Sequence, residues 1–338
     1  MKRIGNVYEK TFSMDGLLAG YLSARRGKRR KLACWRFERN LGANLHDLHE
    51  ELMSGVYAPR PYYTFIVTEP KERVIQAPRF RDCVVQHAAF ATINPIFEPT
   101  FIHDSYACRV GRGTHAASNR LQQFMRRSDP ESYYLEMDIR KFFPSINHDV
   151  MNKLLARKIK DQRLLDLLAM FRSEGGRGMP IGFLLSQIKA NICLNEVDHF
   201  CKRDLGVKQY LRYMDNFACI GLTRERCLRI LEAVREFTAT RLDLGLSKFI
   251  IQKIRKGFNF VGYRTWRGKR FIRKRSLYNF SAAMRRGNLE SIVSILAHAR
   301  NTRTLRYLFN MILEQRHELY LQIPKRLRRL HYLPRQPA

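Results

Sequence analysis

Two aspartates constrain this chain more than any other feature. Asp138 lies in Tyr134-Leu135-Glu136-Met137-Asp138-Ile139, and Asp215 lies in Tyr213-Met214-Asp215-Asn216. Each sits inside an apolar, β-prone run, where a carboxylate is costly unless something pairs with it. Two such acids, set on separate strands and brought together by folding, make a divalent-cation site of the kind that supports nucleotidyl transfer. Magnesium prefers oxygen ligands, keeps several waters and borrows substrate phosphates, so two or three protein oxygens suffice. Asp138 and Asp215 supply that minimum for a pair of Mg2+ ions, and the carbonyl of Ile139 is a further candidate ligand. The competing reading is that each acid only caps a turn. That reading is reasonable for either motif alone and weak for both in this order.

The charge balance points the same way. Of 338 residues, 62 are Lys or Arg and 30 are Asp or Glu, leaving a net charge of +32 beside an ordinary apolar fraction. A folded core with so cationic a surface suits nucleic acid, because neutralising phosphates releases counterions. An anionic membrane surface would attract it too, but no apolar run reaches the roughly 18 residues of a spanning helix. The N-terminus runs quickly into charged and polar residues, unlike a signal peptide. Seven scattered cysteines without a C-x-x-C pair read as reduced packing residues of a cytosolic protein and argue against a zinc site.

The length allows two or three lobes. Residues 1–60 read as helical, interrupted by the basic cluster Arg25-Arg26-Gly27-Lys28-Arg29-Arg30-Lys31, either a solvated face or an RNA contact. Residues 62–76 alternate like strands, and 80–97 carry Val84, Val85, Ala88, Ala89 and Thr92 at helical spacing until Pro99. A strand over 133–139 holds Asp138 near its end. Residues 147–171 read as one helix, Gly175, Gly176 and Gly178 as a flexible loop, and 183–203 as a second helix. A hairpin over 210–220 turns near Met214-Asp215-Asn216, 224–242 reads as helix, and Phe258–Tyr263 as a strand. In the last seventy residues, Leu289, Ile292, Val293 and Leu296 form one helical stripe and Leu305, Leu308, Phe309 and Ile312 another, with basic opposite faces.

In this order the motifs resemble those of reverse transcriptases of the bacterial retroelement type, over roughly residues 60–265. Lys71-Glu72-Arg73-Val74-Ile75 looks like the fingers strand, which implies that Lys71 and Arg73 clamp triphosphate oxygens. Arg81 to Ala88 looks like the helix that follows, and Ser105 to His115 is similar to the "SYGFRPGRS-H" segment. Met137 to Ile146 resembles the first catalytic motif, and Phe258 to Tyr263 the "FLGY" strand that grips the primer. Phe143, five residues after Asp138, stands where these enzymes keep an aromatic ring against the sugar, implying a DNA product. Phe142 is expected on the opposite side of the strand, in the core. His87 and His115 sit in family-like segments and read as structural hydrogen-bonders. Lys248 is a candidate for neutralising the leaving pyrophosphate, against a plain reading as solvated surface.

Met179-Pro180-Ile181-Gly182-Phe183-Leu184-Leu185-Ser186-Gln187 narrows the resemblance. Most reverse transcriptases read "PQGxxxSP" there; Ile181 replaces that Gln and Gln187 that Pro. "IGxxxSQ" looks like the hallmark of reverse transcriptases from diversity-generating retroelements, which copy a template RNA with frequent errors at adenines and rewrite a target gene by mutagenic retrohoming. An apolar Ile181 would remove a hydrogen-bonding check on the nascent pair, while Gly182 and Ser186 suit close backbone approach to a nucleotide.

The resemblance implies an α+β right-hand polymerase: a basic helical segment over 1–60, fingers and palm over 61–265, and a helical thumb over 266–338. It implies an RNA-directed DNA polymerase acting on deoxynucleotide triphosphates, a dedicated template RNA and its RNA/cDNA duplex, with a small accessory protein oligomer, in the bacterial cytoplasm. One position departs from the pattern. The second motif usually ends in two aspartates, and Asn216 stands for the second, keeping a carbonyl oxygen but losing a charge. Asn216 is compatible with a natural active enzyme, with an engineered inactivation, or with an RNA-binding scaffold that no longer polymerises. A phage-defence reverse transcriptase is a further alternative, which "IGxxxSQ" disfavours.

Overall fold

A computed structural model describes residues 3–68 and 72–332. Helix predominates, with three small sheets, and the chain divides into two compact units. The first comprises Met1–His103, Asp138–Leu205 and Glu232–Lys248; the second comprises Asp104–Met137, Gly206–Leu231 and Phe249–Ala338.

In the first unit, the N-terminal sixty residues form helices Tyr8–Thr11, Met14–Ala24, Leu32–Arg39 and Leu41–Ser54. Ser13 starts the second of these, its hydroxyl accepting from the Gly16 amide. The basic cluster lies between the second and third helices, largely exposed. The helix Phe80–Phe97 has the expected bounds and is the core element of this unit. It packs closely on Met14–Ala24 because Gly20 has no side chain: a Cβ there would stand 2.7 Å from the Val84 carbonyl oxygen. Asp82 is fully buried on it, accepting from the Tyr57 hydroxyl at 2.8 Å and the Arg60 amide at 3.1 Å.

The expected strands are β1 (Tyr63–Val67) and β2 (Arg73–Ala77), antiparallel with Phe65 opposite Ile75. The stretch expected as one helix over 147–171 is two, His148–Ala156 and Gln162–Met170. Asp161 makes the break. Its Oδ1 accepts from the Leu164 amide as the second helix's cap, and its Oδ2 accepts from the amides of Val7 and Tyr8 at 2.8 and 3.0 Å. The next helix, Leu184–His199, is buried on nearly all sides and ends in a wider turn, Phe200–Asp204. Lys189 on it is fully buried and donates to the carbonyls of Leu168 and Phe171. Burial pulls its ammonium down to about 7.

In the second unit, the strands Tyr133–Ile139 (β3), Tyr210–Tyr213 (β4), Asn216–Leu222 (β5) and Leu246–Lys253 (β6) form a sheet in the order β4-β5-β3-β6. The last two residues of β3 and the first three of β6 are counted with the first unit. The helix Thr114–Arg127 lays Leu121, Phe124 and Met125 against Tyr134, Leu211, Ala218 and Ile220 of the sheet. The expected helix over 224–242 is present as Arg224–Leu242, its residues from Glu232 onward counted with the first unit.

Phe258–Tyr263 departs from expectation, being a tight hairpin rather than one strand. Phe258–Phe260 is β7 and Tyr263–Thr265 is β8, with Phe260 opposite Tyr263. Val261 and Gly262 form the turn, with φ of 43° and 91°. A β-branched residue rarely takes that conformation, so the apolar run hides the turn. Arg270–Ile272 (β9) completes this three-stranded sheet.

Beyond it, helices Lys274–Arg286, Leu289–Ala299 and Thr304–Gln315 bury the two expected stripes around Phe280: Ile292 and Leu296 of the first, with Leu289 and Val293 partly buried, and Leu305, Leu308, Phe309 and Ile312 of the second. The Tyr263 hydroxyl is within 3.0 Å of Nδ1 of both His115 and His298. His115 is therefore a structural hydrogen-bonder, as expected. Among the described residues no helix is long and apolar enough to cross a membrane, and the seven cysteines are free thiols.

Candidate functional site

Asp138 is the sixth residue of β3 and half-buried. The Ser247 hydroxyl donates to its Oδ1 at 2.9 Å and lies 3.1 Å from its carbonyl oxygen, holding the carboxylate against the start of β6. Ile139 is buried. The chain then turns at once: the Arg140 amide donates to the Gly245 carbonyl at 2.8 Å, and Lys141 takes the left-handed conformation at φ 44°. That turn ends the strand. Phe142–Ser145 is a short helical segment, so Phe142 is a core residue as expected, but not through strand alternation.

Phe143 stands half-buried in this segment, and its carbonyl accepts from the Met179 amide at 2.9 Å. The Ile181 carbonyl in turn accepts from the Gln76 amide on β2 at 3.1 Å. Gly182 follows at φ 118°, where a Cβ would meet the Gln76 carbonyl oxygen at 2.9 Å, so glycine is needed for conformation and space alike. Hydrogen bonds thus tie Phe143, Ile181 and the strand that begins with exposed Arg73 into one framework, with Gly182 packed closely against that strand. Ser186 and Gln187 lie on the helix Leu184–His199. Ser186 is buried and its hydroxyl has no hydrogen-bond partner among the described residues, while Gln187 is half-buried. Lys248 is exposed next to Ser247. Lys71 lies outside the described residues.

In the second unit, Met214 and Asp215 form the turn between β4 and β5, with Met214 at φ 53° and Tyr213 opposite Asn216. The turn rests on Arg212, a fully buried cation whose guanidinium donates to the Met214 carbonyl at 3.1 Å. Asn216 opens β5 half-buried. Its Nδ2 donates to Glu136 Oε1 on β3 at 2.9 Å, whereas its Oδ1 is buried and meets no donor among the described residues.

An orphaned carbonyl oxygen beside Asp215 fits a hard cation or a cation-bound water, and every candidate ligand atom is oxygen. Among the described residues there is no group of three or more His, Cys, Asp or Glu side chains suited to a metal.

Sequence reasoning missed Glu136, Ser247 and Arg212. Glu136 was within reach, since a residue two before Asp138 shares its face of the strand. Ser247 and Arg212 are set by tertiary contacts that leave no local pattern.

Residues 68–265 match the family described as Reverse transcriptase (RNA-dependent DNA polymerase). The chain is 28% identical over 292 residues to Protein YkfC of Escherichia coli, covering 70% of this chain and 74% of that one. It is 30% identical over 164 residues to the group II intron-encoded protein LtrA of Lactococcus lactis, covering 45% of this chain but only 27% of LtrA. Among solved structures, the apo telomerase of Candida tropicalis superposes with a TM-score of 0.50 at 13% identity, over 84% of this chain and 65% of the telomerase. At that identity the likeness establishes the fold alone: mixed helix and antiparallel sheet in the right-hand polymerase arrangement. Since the family match spans more than half of its length, the chain belongs to the reverse transcriptase family.

Proposed function

We propose that this protein is an RNA-directed DNA polymerase of the diversity-generating retroelement type, copying a dedicated template RNA into cDNA with errors concentrated at adenines. Asp138 and Asp215 are the carboxylates that hold magnesium, with the Ile139 carbonyl as a further oxygen donor and Asn216 beside them. Bound magnesium would supply charge neutralisation at the primer hydroxyl and the triphosphate. Lys71 and Arg73 bind the triphosphate, Lys248 faces the leaving pyrophosphate, and the Phe143 ring excludes a 2′-hydroxyl. Residues 61–265 act as fingers and palm. Residues 266–338 act as a thumb that grips the RNA/cDNA duplex through its basic face, and 1–60 add a basic helical segment. A small accessory oligomer assists.

The observation that carries the subtype is Ile181 in its loop. The backbone of Ile181 and Gly182 is fixed against β2, so what varies at position 181 is side-chain chemistry alone. Isoleucine offers no hydrogen bond, and a mispair there loses less relative to a correct pair.

A second reading is favoured by the likeness to the intron-encoded protein LtrA: a reverse transcriptase that copies an intron RNA without adenine errors. Sequencing cDNA from the parent and from Ile181→Gln separates the two. The retroelement reading expects frequent adenine errors in the parent and about tenfold fewer in the variant, the worth of one hydrogen bond. Equal error rates in both remove Ile181 from fidelity, and faithful copying by the parent supports the intron-type reading.

A further inference from the structure

Glu136 and Asn216 face each other on the neighbouring strands β3 and β5, and their contact is directional. An ionised carboxylate can only accept, so Glu136 Oε1, 2.9 Å from the side-chain amide, must face its Nδ2 end. The amide cannot turn over without setting two acceptors against each other. Its other end is thereby committed: Oδ1 points away from Glu136 into a buried position with no donor among the described residues. Leaving a buried carbonyl oxygen unsatisfied costs about 1–3 kcal/mol. An arrangement that orients the amide and leaves its oxygen bare is costly unless the oxygen serves a ligand. Asp215, the adjacent residue in the same turn, carries the nearest charge in sequence that would draw a cation to it.

We infer that Asn216 Oδ1 is a ligand atom for the divalent cation bound by Asp215, and that Glu136 is the positioning residue that aims it. Asn216 is then no damaged aspartate. Glu136 and Asn216 work as a unit in which one residue bears the charge and the other presents a neutral oxygen. The inference rests on the polymerase reading only in taking Asp215 as a cation ligand.

The test is manganese binding by the full chain, followed by electron paramagnetic resonance through the millimolar range without RNA, primer or nucleotide, with thermal melting to verify folding. Glu136→Ala is expected to weaken manganese about tenfold or more, the usual effect of losing a residue that orients a ligand. Glu136→Gln can still accept from Nδ2 but no longer forbids the amide to turn over, and is expected to fall between the parent and Glu136→Ala. Asn216→Leu, close in shape, is expected to lose as much as Glu136→Ala, and the double variant no more than either, because residues acting through one another are not additive.

The inference is overturned by a Glu136→Ala protein that binds like the parent, or by a Glu136→Gln protein as weak as Glu136→Ala. It is also overturned by a further loss on adding Glu136→Ala to Asn216→Leu, or by a parent that takes up no manganese. RNA-templated extension with the same preparations reports separately on the polymerase reading. A parent that makes DNA while Glu136→Ala keeps its affinity sinks this inference alone. A parent silent on RNA, whose manganese still depends on Glu136, sinks only the polymerase reading.

Discussion

Asp82 and His87 sit five residues apart on one buried helix, and burial works on them in opposite directions. It raises the Asp82 carboxyl, although the Tyr57 hydroxyl, the Arg60 amide and the Arg81 guanidinium pull the other way. It depresses the His87 imidazole to about 4, helped by repulsion from Lys28 and Arg26. The unfolded chain takes up that histidine proton near its ordinary value of 6.5, the folded chain only near 4. Between those values the unfolded state binds more protons, so the stability associated with neutral His87 is present above 6.5 and lost as pH falls toward 4. Asp82 acts in the opposite sense, so the prediction concerns a difference. Melting temperatures from pH 7 to pH 4 should fall less steeply in His87→Gln than in the parent; parallel curves would contradict the depressed value.

At the scale of elements, the loop at Ile181-Gly182 ties backbone geometry to the proposed fidelity role. Gly182 combines a positive φ with a Cβ position 2.9 Å from the Gln76 carbonyl. Gly182→Ala is expected to cost about 1–3 kcal/mol in local strain and to shift Ile181 relative to β2. The effect on nucleotide incorporation should exceed the effect on melting temperature. Normal KM and kcat in that variant would show that the loop does not meet the nucleotide.

The elements differed in how far they could be read in advance. The helix Phe80–Phe97 and the strand Tyr133–Ile139 were legible because periodicity and bounding residues agreed. The break at Asp161 was not, since that side chain caps one helix while binding the amides of Val7 and Tyr8, more than 150 residues away in sequence. The turn at Val261-Gly262 was hidden by a run of residues that all favour strands. In the candidate site the aspartates and the Ile181 motif stood out by residue type. Glu136 did not, because a carboxylate on an alternating strand reads as a solvated face until its partner on the next strand is known.

For the whole molecule the dominant property is its charge of +32. Affinity for an RNA/DNA duplex should fall about 10³- to 10⁵-fold between roughly 50 and 200 mM salt, the behaviour of a protein that makes six to ten phosphate contacts. A nearly flat salt dependence in a filter-binding series would mean that the basic surface does not grip the backbone. Family membership, the polymerase fold and this charge agree with one another, and the central proposal is that a motif ending in Asn216 sustains synthesis. The direct measurement is primer extension on an RNA template with deoxynucleotides and magnesium, comparing the parent with Asp138→Ala. The account predicts magnesium-dependent DNA synthesis by the parent. In the variant it predicts a loss of about a thousandfold, corresponding to several kcal/mol of charge stabilisation at the reacting phosphate. Equal synthesis by both proteins, or none by the parent with its template RNA and accessory protein supplied, would contradict it.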